Sequence, residues 1–311
     1  MHQGYDALRR GAAWMKLSAR GRIAVRGRDR ARLLHNLTSN EVKKLGRGSG
    51  CYAFLLSPQG RIQADLTLLV FDDHILLDTE PELREKIVQH IRRYIVADQV
   101  ELENVTAVTC AVALEGPESA AVLEKAGGVA PGGDCQHVPW GETTVARTSL
   151  TGQPGFRLYA AASAADEIIR RLAEAGAQPA AEEDARLVRI ENGRPRYGED
   201  IRDTSLPQET GQMRAVSFSK GCYLGQEIVE RIRAQGHVNR KLVRLRLESA
   251  VRAGAKLTVD GTEAGEITSF ADSPAQGSAA ALAYVRSIYA APGQALAAGD
   301  IRAVVTGVSE G

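Results

Sequence analysis

The sequence predicts an α+β protein in which a duplicated strand–helix–hairpin–helix unit is followed by a small all-β module. Three observations carry this: a hairpin-plus-helix pattern that recurs after about ninety residues, short glycine-broken alternating segments beyond residue 240, and a globular composition. With 311 residues, 44% hydrophobic and 25% charged, the chain has about two domains' worth of length and enough apolar content for real cores.

The first copy opens with strand-like Ile23 to Val25 and a helix over 30–45. Residues 61–71 then alternate Ile62, Ala64, Leu66 and Leu68 against Gln63, Asp65 and Thr67, a half-buried strand with Asp65 on its polar face. Asp72-Asp73 turns the chain into the return strand His74 to Leu77. Thr79 to Glu82 has capping-box spacing with an early proline, and Leu83, Ile87, Ile91 and Ile95 mark one stripe of the helix that follows. The second copy repeats this order: strand 108–114, short helix 117–126, strand 142–148, a turn over 152–155, strand 156–160, and a helix opened by Ser163 with Ile168, Ile169 and Leu172 on its apolar face. From Leu242 the segments 242–248, 256–259, 262–270, 279–285 and 301–306 read as a barrel or sandwich, with a boundary near 240.

Charge and cysteine usage exclude several function classes. Lys plus Arg (39) nearly cancels Asp plus Glu (38), so bulk attraction to nucleic acid is not expected. The longest uncharged runs, such as 48–60 and 273–285, are too short to span a membrane. Cys51, Cys110, Cys135 and Cys222 lie far apart with no histidine at ligand spacing, which encodes neither a disulfide framework nor a metal site, and the cytoplasm is the expected compartment. No apolar stretch follows Arg9, Arg10, Lys16 and Arg20 as a secretory leader requires, while an organelle transit peptide, and hence an organellar matrix, stays open. Phosphate loops, zinc-protease motifs and nucleophile elbows are absent, and Gly46 to Gly50 reads as a turn.

Two segments stand out. Residues 182–193 form a helix closed by Gly193, on which Leu187, Ile190 and Glu191 share a face. A carboxylate on an apolar stripe near a helix C-terminus, where the macrodipole opposes it by roughly 0.3–1 kcal/mol, is either an ion-pair partner of Arg194 or Arg196, or a bidentate acceptor for a ligand's N–H groups. In 217–233, Gly221 and Gly225 allow a tight turn and Cys222 stands two residues from Lys220, a neighbour that favours thiolate; the plainer alternative is a small packed cysteine. The stretch from Lys220 to Arg246 is the one concentrated basic region: a solvated face, an anchor for an anionic tail, or an RNA-contacting patch.

Lys220-Gly221-Cys222-Tyr223-Leu224-Gly225-Gln226-Glu227 resembles the K-G-C-Y-x-G-Q-E signature of the YgfZ family of folate-binding proteins, relatives of the glycine-cleavage T-protein aminomethyltransferases. Arg189 to Gly193 with Tyr197-Gly198, and Leu206 to Glu209, resemble further stretches of that superfamily, over nearly the whole chain. The resemblance implies a three-domain ring around a central tetrahydrofolate site: 1–50 with 135–240 as a discontinuous folate-binding domain, 51–134 as a second α+β domain, and 241–311 as a barrel. It implies that Glu191 takes the place of the pterin-binding carboxylate, with Tyr197, Lys220, Gln226 and Arg231 as further contacts to tetrahydrofolate or a one-carbon derivative. Asp65 and Cys222 are the implied catalytic candidates. The implied function is folate-dependent assembly or repair of iron–sulfur clusters, with iron–sulfur enzymes or assembly proteins as partners and an effect on tRNA-modifying enzymes. The alternative is aminomethyl or methyl transfer of the T-protein class, and RNA binding ranks third. Where T-proteins carry paired acids in G-G-I-x-D-D-L, this chain has Gly60-Arg61-Ile62-Gln63-Ala64-Asp65-Leu66, so one acid remains.

Overall fold

A computed structural model of the chain describes residues 3–275 and 277–309, so the outermost residues of the first and third expected domains lie outside it. In chain order the elements begin with α1 (Gln3–Arg10), β1 (Ala13–Lys16), β2 (Gly21–Arg26), α2 (Arg30–Leu37), β3 (Gly50–Leu56), β4 (Ile62–Val70), β5 (His74–Thr79), α3 (Arg84–Arg92) and β6 (Glu101–Asn104). The second unit contains β7 (Thr109–Glu115), α4 (Ser119–Lys125), β8 (His137–Trp140), β9 (Thr143–Ala146), β10 (Gly155–Ala161), α5 (Ala165–Glu174), β11 (Gln178–Pro179) and α6 (Glu182–Glu191). The short α7 (Pro207–Thr210) and α8 (Gln226–Gln235) lead to β12 (Arg240–Leu247), β13 (Lys256–Val259), β14 (Thr262–Ser273), β15 (Ser278–Arg286), β16 (Ala295–Ala298) and β17 (Ile301–Val308).

The duplication is visible in the strand order. The first sheet runs β3-β4-β5-β2-β6, the second β8-β9-β10-β7-β1-β11, so each holds the same four-strand core with an added edge beside its first strand. Strand pairing cuts the chain elsewhere than at 50 and 135: β2 is bonded into the sheet of β3–β5, and β7 into that of β8–β10. The six C-terminal strands close into a barrel, resolving the barrel-or-sandwich choice, around Val243, Leu245, Leu257, Ile267 and Leu296.

Several expected elements differ. The helix placed over 30–45 stops at Leu37, because Thr38 turns extended and its hydroxyl bonds the carbonyl of Leu34. Thr79 does not cap a helix; its hydroxyl donates to the Asp65 carbonyl, and a short 3-10 turn at Pro81–Leu83 opens α3 instead. Ser163 likewise lies in a 3-10 turn and caps nothing. β3 and β16 carry no alternating signal, since one is a continuous apolar run and the other is mostly alanine.

The two sheets are tied by a buried charge network. Asp78 of β5, fully buried, accepts from Arg20 Nε at 2.7 Å, from Arg157 of β10 at 2.6 Å and from Tyr159 Oη at 2.9 Å. Burial pushes the Asp78 carboxyl up, but Arg157 and Arg20 outweigh it and hold the group below the usual carboxylate range. Arg20 also reaches Glu80 at 2.5 Å.

Candidate functional site

A cavity of about 260 Å³ opens where the two sheets and α6 meet. Tyr52, Asp65 and Thr67 reach it from the first sheet, Arg157 from the second, Thr148 from the segment after β9, and Arg186 and Arg189 from α6. On α6 the residues Glu182, Ala185, Arg186 and Arg189 face the cavity at the i, i+3, i+4, i+7 spacing of one helix face.

Asp65 is the acid of this site. Its Oδ2 accepts from Tyr52 Oη at 2.7 Å, while Oδ1 is buried with no protein partner. Burial, reinforced by the neighbouring Glu80 carboxylate, raises its pKa to about 6, against the smaller pull of the Tyr52 hydrogen bond and Arg20. Three further buried polar atoms without a protein partner belong to cavity residues: Thr148 Oγ1, Arg157 Nε and Arg214 Nε. The Arg214 guanidinium lies over the Tyr52 ring at 4.5 Å, bonded at one nitrogen to Asp134. The α6 arginines are already committed, Arg186 to Glu199 at 3.0 Å and Arg189 to Glu199 and Asp200 at 2.7 and 2.8 Å. Arg196 meets Glu80 and Glu82. Arg194 differs: among the described residues its side chain meets only Gln212 Oε1, at 3.5 Å, and no carboxylate.

Of the seven residues expected at the site, only Asp65 lines this cavity. Glu191 stands nine residues beyond Glu182, about half a turn round the helix at 100° per residue. It lies off that cavity, its Oε1 taking hydrogen bonds from Tyr5 at 2.9 Å and Ser273 at 2.5 Å, while Oε2, buried without a hydrogen-bond partner, has Arg9 Nε at 3.6 Å. Its carboxylate joins α1, α6 and β14 of the barrel. We therefore expect Glu191→Ala to lower stability by about 1–3 kcal/mol, the range for a buried hydrogen-bonded charge, and to leave affinity for any cavity ligand within twofold. Thermal unfolding alongside calorimetric titration checks this, and a tenfold affinity loss in a folded variant would refute it.

Tyr197 is buried and accepts from Lys86 at 3.0 Å, outside the cavity. Gln226 bonds the Tyr223 amide at the start of α8, and Arg231 is exposed on that helix. The Lys220 ammonium is taken up by the carbonyls of His35, Thr38 and Asn40 at 2.5–2.8 Å, closing the C-terminus of α2. Burial lowers its pKa to about 8, Glu41 and Cys51 opposing. It acts as a helix cap rather than an activator of Cys222, whose side chain is exposed. Gly225, at φ +82°, packs against the turn between β3 and β4, where a Cβ would lie 2.5 Å from the Ser57 carbonyl. The signature segment thus buttresses the strand pair that carries Tyr52 and Asp65. The basic region of 220–246 is likewise divided, with Lys220 buried, Arg233 on Glu230 and Arg240 on Glu209.

The comparisons with known proteins agree with this fold. Residues 1–220 match the GCVT N-terminal domain and 240–305 the glycine cleavage T-protein C-terminal barrel domain. An aminomethyltransferase of Rubrobacter xylanophilus is 34% identical over 90% of this chain and 78% of that protein. A chloroplastic protein of Arabidopsis thaliana that carries a transferase name is 30% identical over 98% of this chain and 73% of its own length. The crystal structure of glycine cleavage system aminomethyltransferase T from Bartonella henselae superposes with a TM-score of 0.88 at 22% identity, covering 98% of this chain and 88% of that one.

Proposed function

The chain belongs to the glycine cleavage T-protein family, and from that premise we propose that it binds a reduced folate in the central cavity and handles a one-carbon group there, with Asp65 as the proton-exchanging residue. The observation that carries this reading is the Asp65 carboxyl, with a pKa of about 6 and one buried oxygen left for a ligand. The cavity fits such a ligand in two further respects. Its remaining unpartnered polar atoms offer hydrogen bonds to a heteroaromatic ring, and Arg194 offers a guanidinium without a carboxylate. Reduced folate supplies the nitrogens that carry the one-carbon unit; Asp65 holds or releases a proton beside them, and the Tyr52 hydroxyl fixes its orientation.

Arg194 is then the residue for the glutamate end of the folate. Removing it should weaken tetrahydrofolate binding by about 1.5–3 kcal/mol, roughly ten- to a hundredfold, and leave a tetrahydropterin without glutamate unaffected. Calorimetric titration of both compounds into wild type and Arg194→Ala decides it, since equal losses for both would remove the assignment. No binding of tetrahydrofolate to wild type would remove the whole reading.

A second reading, iron–sulfur cluster assembly or repair in the manner of the YgfZ-like branch, is favoured by the exposed Cys222 thiol in its glycine-bounded turn, accessible to iron–sulfur enzymes or assembly proteins. Formation of methylenetetrahydrofolate from an aminomethylated carrier supports the transferase. Folate binding without turnover, with iron–sulfur enzyme maturation lost in Cys222→Ala, supports the assembly role.

A further inference from the structure

Strand register does not put Tyr52 opposite the acid it serves. Between β3 and β4, Tyr52 is paired with Thr67 and Phe54 with Asp65, so the acid is the diagonal neighbour of the tyrosine, reached at 2.7 Å only because the ring leans along the sheet. Two groups hold the ring in that position: Phe54 meets it edge-on, centroids 5.6 Å apart at 68°, and the Arg214 guanidinium lies over its face at 4.5 Å. Arg214 is itself anchored. Asn40 Nδ2 donates to the carbonyls of both Tyr52 and Arg214 at 2.9 Å, and Ser39 Oγ donates to that of Ala215 at 2.6 Å, which fixes this backbone beside β3. Arg214 Nη1 donates to Asp134 Oδ2 at 2.9 Å, in the loop before β8 of the second unit, a turn closed by hydrogen bonds of 3.0 Å between Gly133 and Gln136. The groups facing Asp65 are Tyr52 of β3, Glu80 after β5, Arg20 between β1 and β2, and Tyr197 after α6. Of these, Tyr52 is the one that carries Arg214.

We propose that Arg214 is a positioning residue for the acid of this site: it holds the Tyr52 hydroxyl on Asp65 Oδ2, and its ion pair with Asp134 ties that arrangement to the second unit across the edge of the cavity. The assignment rests on Asp65 as the proton-exchanging residue, as read above, and does not depend on which ligand the cavity takes. A cation over the ring face fixes the plane of the ring, which a hydroxyl aimed at a diagonal neighbour requires. The Asp134 side chain is largely exposed, so its share of the hold is the smaller one.

The test is a carbon-13 titration of the Asp65 carboxyl in ligand-free protein, where no contact between Arg214 and a ligand enters. Wild type should titrate near pH 6. Tyr52→Phe removes a hydrogen bond that favours the charged carboxylate and should raise the midpoint by about one unit. Arg214→Ala, with Tyr52 intact, should raise it by at least half as much, and Asp134→Asn should raise it less than Arg214→Ala. In a Tyr52→Phe background Arg214→Ala should add nothing, because its effect passes through the hydroxyl already removed. An unchanged midpoint in folded Arg214→Ala, or the same rise with and without the Tyr52 hydroxyl, overturns the positioning role; Arg214→Gln, which keeps part of the stem and loses the cation, carries the same comparison if the alanine variant does not fold. No rise in Asp134→Asn overturns the tie to the second unit. A wild-type midpoint at about pH 4, the ordinary aspartate value, overturns the proposal together with the reading of Asp65 as the proton-exchanging residue.

Discussion

Asp78→Ala should cost about 3–5 kcal/mol, the loss expected when one partner of a buried ion pair is removed and the others stay behind. Three groups converge on that carboxylate, and two of them, Arg20 and Arg157, are guanidiniums from opposite sides of the junction between the sheets. Arg20 retains Glu80 after the substitution, while Arg157 retains no paired carboxylate among the described residues. The variant is therefore expected to separate the two sheets at the cavity wall. Against a typical stability of about 5–15 kcal/mol for a domain, this is a large fraction. Urea unfolding followed by tryptophan fluorescence measures it, with Trp14 and Trp140 both in the second sheet. A loss below about 1 kcal/mol would mean the network is dispensable. Asp78→Asn keeps acceptor capacity without charge and should fall between.

Asp65→Asn should do the opposite to stability while removing function. A folded-state pKa of about 6, above the ordinary aspartate value, means that folding takes up a proton between the two. Stability contributed by Asp65 is then greatest below about pH 4 and declines as pH rises to 6, by up to about 3 kcal/mol at 1.36 kcal/mol per unit. Asn carries no charge and keeps an acceptor for Tyr52, so the variant should be more stable than wild type by roughly 1–3 kcal/mol at pH 7 and should lack this decline. Transfer should fall by about 10²–10⁴, the usual contribution of a positioned acid or base. Matched unfolding curves at pH 4, 5, 6 and 7.5 give the first result; an equal pH slope in the two proteins would show that Asp65 titrates normally.

Much of the architecture is legible in the sequence because periodicity reports burial. Asp65 stands on the polar face of a strand whose other face is wholly apolar, and the structure puts that polar face against the cavity. The C-terminal β module was readable as a barrel or sandwich because most of its strands alternate and glycines separate them, β15 and β16 excepted. Glu191 shows where periodicity stops: an acid on an apolar stripe has to be buried, but periodicity does not say against what, and here Oε1 meets Tyr5 and Ser273 while Oε2 is buried without a hydrogen-bond partner. Arg157 left a trace in alternating Phe156-Arg157-Leu158-Tyr159, a strand with a polar inner face, yet Asp78, its partner, is 79 residues away. Lys220 and Gly225 carry a recognisable signature, but their contacts, the end of α2 and the β3–β4 turn, are visible only once the chain is folded.

One-carbon chemistry in this cavity requires the folate to lie beside Asp65. Carbon-13 NMR of the Asp65 carboxyl, titrated with and without saturating tetrahydrofolate, tests this directly. The free protein should titrate near pH 6, and bound folate should move that midpoint by a unit or more or abolish it. An identical titration curve in a protein shown to be saturated with folate would place the ligand elsewhere and contradict the assignment.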